Sequence, residues 1–331
     1  MALGTDGASV MIGARNSVLS RFRDAQPNIF HIHCTCHVAA LCAADACKTF
    51  PKFIEQLCRD IHSHFSHSCK RLQLYKEFQE FVEADTLRIL QLCSTRWLLG
   101  CINRIVNQYD ALLNYFQSSD KCDRLVTVDR ISTQLQNPVV KCYFLFLQAV
   151  LPNFTLFNKM FQSNSPILPD LYSEANQLLK TALGYYIWPQ VLLSVEELMS
   201  FDHFESSNFK SSDNIFIGYQ TKLQLQKVDD PSTVQQFMVE VIAFYTNAVS
   251  AIKKRMPISN RVLKLTSLLK PTNRISVEPS DILELAFSTN CISSRFWLFA
   301  DRVYWLSSCG FKQCPRQRTL WWFLSSNWKN Y

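Results

Sequence analysis

From Pro51 to about residue 290 the chain is written almost entirely at the helical period. Phe53, Leu57, Ile61 and Phe65 recur every four residues, and Ile102, Ile105, Tyr109, Leu112 and Phe116 repeat the pattern further on. Residues three and four apart lie on one side of an α-helix, so each set forms an apolar stripe that must be buried against a neighbour. The spacing predicts further helices over 139–161, 168–185 and 233–253. The last of these opens with Asp230-Pro231 and the capping-box pattern Ser232-x-x-Gln235. Strand signals are scarce here, and residues 206–214, rich in Ser, Asn and Asp, form the best loop candidate. The 24 Phe and 11 Tyr supply bulky interior side chains, and 48% hydrophobic residues in a chain of 331 suffice for a substantial core. Large packed helices fit that composition.

Residues 1–50 read differently. Thr5-Asp6-Gly7 has the character of a strand end, yet Met1-Ala2-Leu3-Gly4 is too short to complete the strand, so the expected domain lacks its opening part. Val10, Ala14, Val18 and Phe22 predict one helix over 9–23, with Pro27 ending that region. Residues 28–34 alternate, Phe30, Ile32 and Cys34 on one face and His31 and His33 on the other, which is the period of a strand. Residues 38–48 return to an Ala-rich helix. Strand end, helix, strand, helix is an α/β pattern that needs more strands than these residues supply.

The formal net charge of +7 is a mild basic excess that favours polyanionic partners. No run of Lys and Arg forms an arm. Lys253-Lys254-Arg255 falls at a helix end, where cations offset the partial negative charge of the carbonyls. The 13 cysteines come without the features of a secretory signal, so reduced thiols in an intracellular compartment are expected. Apolar runs such as 143–147 are interrupted by Gln148 and Pro152 before bilayer length, and no membrane-spanning segment is expected. Nothing points to a small-molecule substrate.

Three short motifs carry chemistry. Asp6, at a strand end and followed by Gly7 and Ala8, suits a carboxylate aimed at a divalent cation; the alternative is a turn or a cap for the helix starting at Ser9. Phosphodiester chemistry on such cores uses two hard cations about 3.5–4 Å apart and several carboxylates, and one carboxylate cannot hold that pair. The run His31-Ile32-His33-Cys34-Thr35-Cys36-His37, with Cys42 and Cys47 nearby, offers zinc-type ligands, but no second pair completes a tetrahedral set. His62, His64, His67 and Cys69 would fan around a helix axis. Arg96-Trp97, ahead of the helix at Leu98, pairs a guanidinium for phosphate with an indole for stacking an unpaired base; the alternative is an indole packed in the bundle beside a solvated Arg. Cysteines are numerous, but no nucleophile motif surrounds them.

In their order, these motifs resemble the hAT superfamily of DNA transposases, and especially its domesticated BED-finger and zinc-finger MYM-type-like branch, over residues 1–290. That resemblance implies a ribonuclease H-like core interrupted by a long helical insertion. Thr5-Asp6-Gly7-Ala8 looks like the segment with the second catalytic Asp, which makes Asp6 a vestigial catalytic residue and a Mg²⁺ ligand only if the core is completed. Cys34-Thr35-Cys36-His37 looks like the family's Cys-x-x-His motif, placing Cys34 and His37 near DNA. Arg96-Trp97 looks like the pair whose Trp supports a flipped base. The stretch from Leu151-Pro152 through Phe161-Gln162-Ser163 to Pro166 looks like the insertion of the domesticated branch.

The first catalytic Asp would precede residue 1, no stretch after Leu285 reads like the catalytic Glu, and no BED finger is present. The expected fold is therefore mainly α. A partial ribonuclease H-like α/β core would span 1–50 and an all-helical insertion domain 51–290, followed by an atypical tail over 291–331. Five of the seven tryptophans fall in or beside that tail, Trp297, Trp305, Trp321, Trp322 and Trp328, as a plug, an interaction surface or sequence outside any fold. The expected function is a truncated, transposable element-derived protein that binds DNA without cleaving it, uses no cofactor of its own and resides in the nucleus. The alternative is a helical protein–protein interaction scaffold with no DNA role, in nucleus or cytoplasm.

Overall fold

The computed structural model describes residues 2–27, 29–91, 98–118, 126–162, 167–195, 197–270 and 278–288. The tail over 291–331 lies outside these residues. The described chain is mainly helical and divides into two units. One comprises the described residues of 1–34, 164–174 and 257 onward, the other those of 35–163 and 175–256.

In the first unit, β1 (Ala2–Thr5) and β2 (Phe30–His33) pair in parallel, with Leu3 opposite His31 and Thr5 opposite His33. Parallel neighbours need a crossover. It is made by α1 (Ser9–Ile12) and α2 (Val18–Ala25), two helices where the apolar spacing predicts one. The break is local in origin. A Cβ on Gly13 would lie 2.5 Å from the Ser9 carbonyl oxygen, and Ser17 starts a fresh helix by accepting from the Ser20 amide at 3.1 Å. Ser20 Oγ accepts from the Ser17 amide at 2.8 Å, completing a capping box. The stripe loses its role with the break: Val10 is 71% exposed, and Leu19 is the residue α2 buries.

The second unit holds α3 (Thr35–Cys47), α4 (Lys52–Ser66), α5 (Cys69–Phe81), α6 (Leu98–Asn107), α7 (Tyr109–Gln117), α8 (Val126–Gln136), α9 (Pro138–Val150) and α10 (Pro152–Phe161). These are followed by α11 (Leu168–Gly184), whose first turns belong to the first unit, then α12 (Pro189–Leu193), α13 (Tyr219–Leu225) and α14 (Pro231–Arg255). Helix α9 is buried nearly all round, through Val139, Val140, Phe144, Phe146 and Leu147. Helices α6 and α13 pack on it, while α14 and α10 pack on α3. The stretch Pro138–Phe161 has the length and apolarity of a bilayer span. It is broken at Leu151-Pro152, where the expected single helix becomes two, and its apolar side chains are largely buried within this unit, as in the core helix of a soluble fold.

Gly218, at φ 84°, sits where a Cβ would come within 2.6 Å of Ala149 Cβ, so the turn into α13 depends on glycine. The loop expected over 206–214 contains two short 3-10 turns, Ser206–Asn208 and Ser212–Asn214. The basic end of α14 is tied down: Arg255 Nη2 meets Asp45 Oδ2 at 2.5 Å, and Lys253 Nζ donates to the Met199 and Phe201 carbonyls. In the first unit, α15 (Arg261–Thr266) is joined to α16 (Pro279–Ser288) by a two-pronged Arg261–Glu284 pair.

The cap of α14 is Asp230, not Ser232. Its carboxylate accepts from the hydroxyls and amides of Thr233 and Ser232, which hold its pKa down to about 2. An unfolded Asp titrates near ~3.9, so the carboxylate stabilises the fold above that pH and ceases to as pH falls through about 2. Asp230→Ala is therefore expected to lower the melting temperature at pH 7, and the gap to the parent protein to close as the pH drops from ~4 to ~2. Thermal scans across that range check it; a gap that persists at the lowest pH contradicts it.

Candidate functional site

The carboxyl ends of β1 and β2 bring two of the motifs side by side. Asp6 and Cys34 follow the last registered pair, Thr5–His33, and the Cys34 amide extends the ladder by donating to the Thr5 carbonyl at 2.6 Å. Carboxyl ends of parallel strands are where α/β sheets place their ligands. Asp6 is exposed and its Oδ1 accepts from the Ala8 amide at 3.2 Å, so it makes a turn; the cap position of α1 is Ala8. Thr5 is buried and its hydroxyl bonds His31 Nε2 at 2.8 Å. His31 stacks edge-on with His33 at 5.1 Å, and burial, followed by the charges of His33 and Arg23, lowers its pKa. The donors at this edge are one carboxylate, a thiol and imidazoles. Such a set does not fit a pair of Mg²⁺ ions, which take oxygen ligands. His37 lies in the first turn of α3.

A second feature is built around α4, α5 and α6. Helix α5 ends with Glu83 in the left-handed region at φ 55°, the Ala84 amide reaching back to the Gln79 carbonyl at 2.8 Å and the Glu83 amide to that of Glu80 at 3.1 Å. The chain then leaves without regular secondary structure over 85–91, pinned by side chains. Gln108 Nε2 donates to the Asp85 carbonyl at 2.9 Å, Gln79 Nε2 to Leu87 at 2.8 Å, Arg104 Nη1 to Arg88 at 2.6 Å and Cys101 Sγ to Leu90 at 3.5 Å. Behind these tethers lies a buried amide network in which Gln108 Oε1 accepts from Tyr75 Oη at 3.1 Å and from Gln79 Nε2 at 2.6 Å. Gln91, five residues ahead of Arg96 in sequence, is the last described residue of this stretch. Arg96 and Trp97, the residues expected to hold phosphate and base, lie outside the described residues, which resume at Leu98 in α6.

Gln91 lines an open cleft of about 420 Å³ with Arg59, His62, Ser63, Ser66 and His67, on the polar face of α4 and its terminus. Of these, only His62 and His67 stand out in the sequence, as part of a histidine cluster. That cluster disperses as expected of a helix: His64 turns inward to Tyr115 Oη at 3.0 Å, away from the cleft. The remaining lining residues carry a signal only in their spacing, since Arg59, His62, Ser63 and Ser66 fall opposite the Leu57, Ile61 and Phe65 stripe.

Among the described residues, no group of three or more His, Cys, Asp or Glu is arranged to hold a metal ion. The thiols of Cys42, Cys47 and Cys142 are pushed up to about 12 by burial, so they are not thiolates at neutral pH. No protein-family model matches the chain, and no solved structure gives a significant match.

Proposed function

We propose that the chain is a transposable element-derived protein of the hAT type, in which a remnant of a ribonuclease H-like core precedes a helical insertion. The observation that carries this reading is the parallel pair β1 and β2 with Asp6 directly after one strand and Cys34 directly after the other, in the order the resemblance requires. The helical unit that follows, with Arg96-Trp97 immediately before α6, supports it. The activity assigned to it is DNA binding, in the nucleus; Asp6 alone could not hold the cation pair that strand cleavage uses. In this reading Arg96 supplies charge to a phosphate and Trp97 a stacking face, and the resemblance assigns Cys34 and His37 to DNA contact as well.

Arg96→Ala and Trp97→Ala are each expected to weaken duplex binding about tenfold, the loss of one phosphate contact or one stacked base. Fluorescence anisotropy with labelled duplex reads the change. Binding indifferent to both substitutions favours the second reading, an interaction scaffold. That reading draws on the apolar side chains the helical unit leaves in solvent, Leu193 at 81%, Tyr219 at 73% and Phe204 at 60% exposure.

A further inference from the structure

We infer that the cleft lined by Arg59, His62, Ser63, Ser66, His67 and Gln91 seats the phosphodiester backbone of a nucleic acid strand. This goes beyond the transposase reading, because none of these residues belongs to a motif matched by the resemblance. Arg59, His62, Ser63 and Ser66 occupy i, i+3, i+4 and i+7 of α4, one continuous face. His67, just past the end of that helix, and Gln91, which follows the tethered residues, complete the lining.

Among the described residues the lining is rich in donors and contains no carboxylate. Arg59 meets Glu55 through Nε and Nη2, an exposed pair in which Nη1 takes no part. Imidazole N–H groups, the Ser63 hydroxyl and the Gln91 amide add donors that suit phosphate oxygens. A helix carboxyl end would ordinarily repel an anion through its open carbonyls. Here three of them are engaged: Ser66 Oγ donates to the Ser63 carbonyl, Arg71 Nη1 to that of His64, and the His67 and Ser68 amides to that of Phe65. An opening of about 420 Å³ takes a phosphate together with its sugar. The net charge of +7 favours the same class of partner.

The test is anisotropy of the full chain with a fluorescein-labelled duplex of about 20 base pairs over a series of salt concentrations. Arg59→Ala/His62→Ala/His67→Ala is expected to raise Kd about tenfold and to flatten the salt dependence by about one to two counterions. Ser63→Asp, which places a charge on an exposed position without removing packing, is expected to weaken binding in the same direction. Lys227→Ala, on an exposed residue outside the cleft, should change neither quantity. Unchanged Kd and salt slope in both cleft variants overturn the assignment, and if Arg96→Ala and Trp97→Ala still weaken binding, the transposase reading survives that failure. Parent protein that binds no duplex overturns both. Polyglutamate that competes as well as unlabelled duplex of equal charge overturns the assignment to nucleic acid.

Discussion

Phe146→Ala is expected to destabilise the helical unit by about 3–5 kcal/mol, a large fraction of the ~5–15 kcal/mol that holds a typical domain folded. Phe146 is fully buried on α9, with ring centroids 5.1 Å from Phe244, 5.6 Å from Phe50, 5.6 Å from Tyr245 and 6.4 Å from Phe237. It therefore joins α9 to α14 and to the turn after α3. Removing the ring takes away its transfer free energy and leaves a cavity whose walls are other rigid rings, which relax poorly. Urea unfolding followed by far-UV circular dichroism should show a lowered midpoint with an unchanged slope. Phe146→Leu, which refills part of the space, should recover more than half of the loss. An alanine variant within ~1 kcal/mol of the parent would mean that this cluster is not the core of the unit.

Gln108→Ala is expected to cost about 2–3 kcal/mol and to loosen the segment over 85–91. Gln108 is buried, accepts from Tyr75 and Gln79, and donates to the Asp85 carbonyl. The substitution leaves the buried Tyr75 hydroxyl without its acceptor and removes one of four tethers on the segment leading toward Arg96. Leaving a buried polar group unpaired costs more than deleting the pair. Tyr75→Phe/Gln108→Leu should therefore be less destabilised than the sum of the two single changes. Hydrogen exchange should report faster opening at residues 85–91 in Gln108→Ala and no change across α14. Protection that stays at the parent level over 85–91 would show that the remaining tethers suffice.

The sequence made the helices legible wherever an apolar stripe ran on one face. Leu57, Ile61 and Phe65, and Ile102, Ile105, Tyr109, Leu112 and Phe116, are buried as their spacing predicts. The stripe hid the breaks. Ile105, Tyr109 and Leu112 keep in phase through Gln108, although α6 ends at Asn107 and α7 begins at Tyr109, because packing registers the face and not the backbone bonds. Pro152 was visible as a breaker, but the periodic apolar residues around it outweighed that signal, as they did at Gly13, which the spacing alone passes over. At α14 two residues competed for the cap, and Asp230 prevails because Pro231 occupies the first helical position.

Alternation revealed β2, whereas its parallel pairing with β1 is a non-local contact that no local pattern encodes. The order of Asp6 and Cys34 was legible for the same reason that their adjacency was not. The cleft on α4 was the least legible feature. Arg59, Ser63 and Ser66 look like any solvated helix face, and Gln91 joins them only through tethers supplied by α5 and α6.

The central claim is that this chain engages DNA through a stacking tryptophan. The direct measurement is the affinity of the parent protein and of Trp97→Ala for two labelled duplexes, one fully paired and one with a single unpaired base. The account predicts that the parent prefers the duplex with the unpaired base by about tenfold and that Trp97→Ala binds both alike, consistent with ~1–3 kcal/mol for one stacked base. Equal affinity of the parent for both duplexes, or a preference that survives in Trp97→Ala, would contradict it.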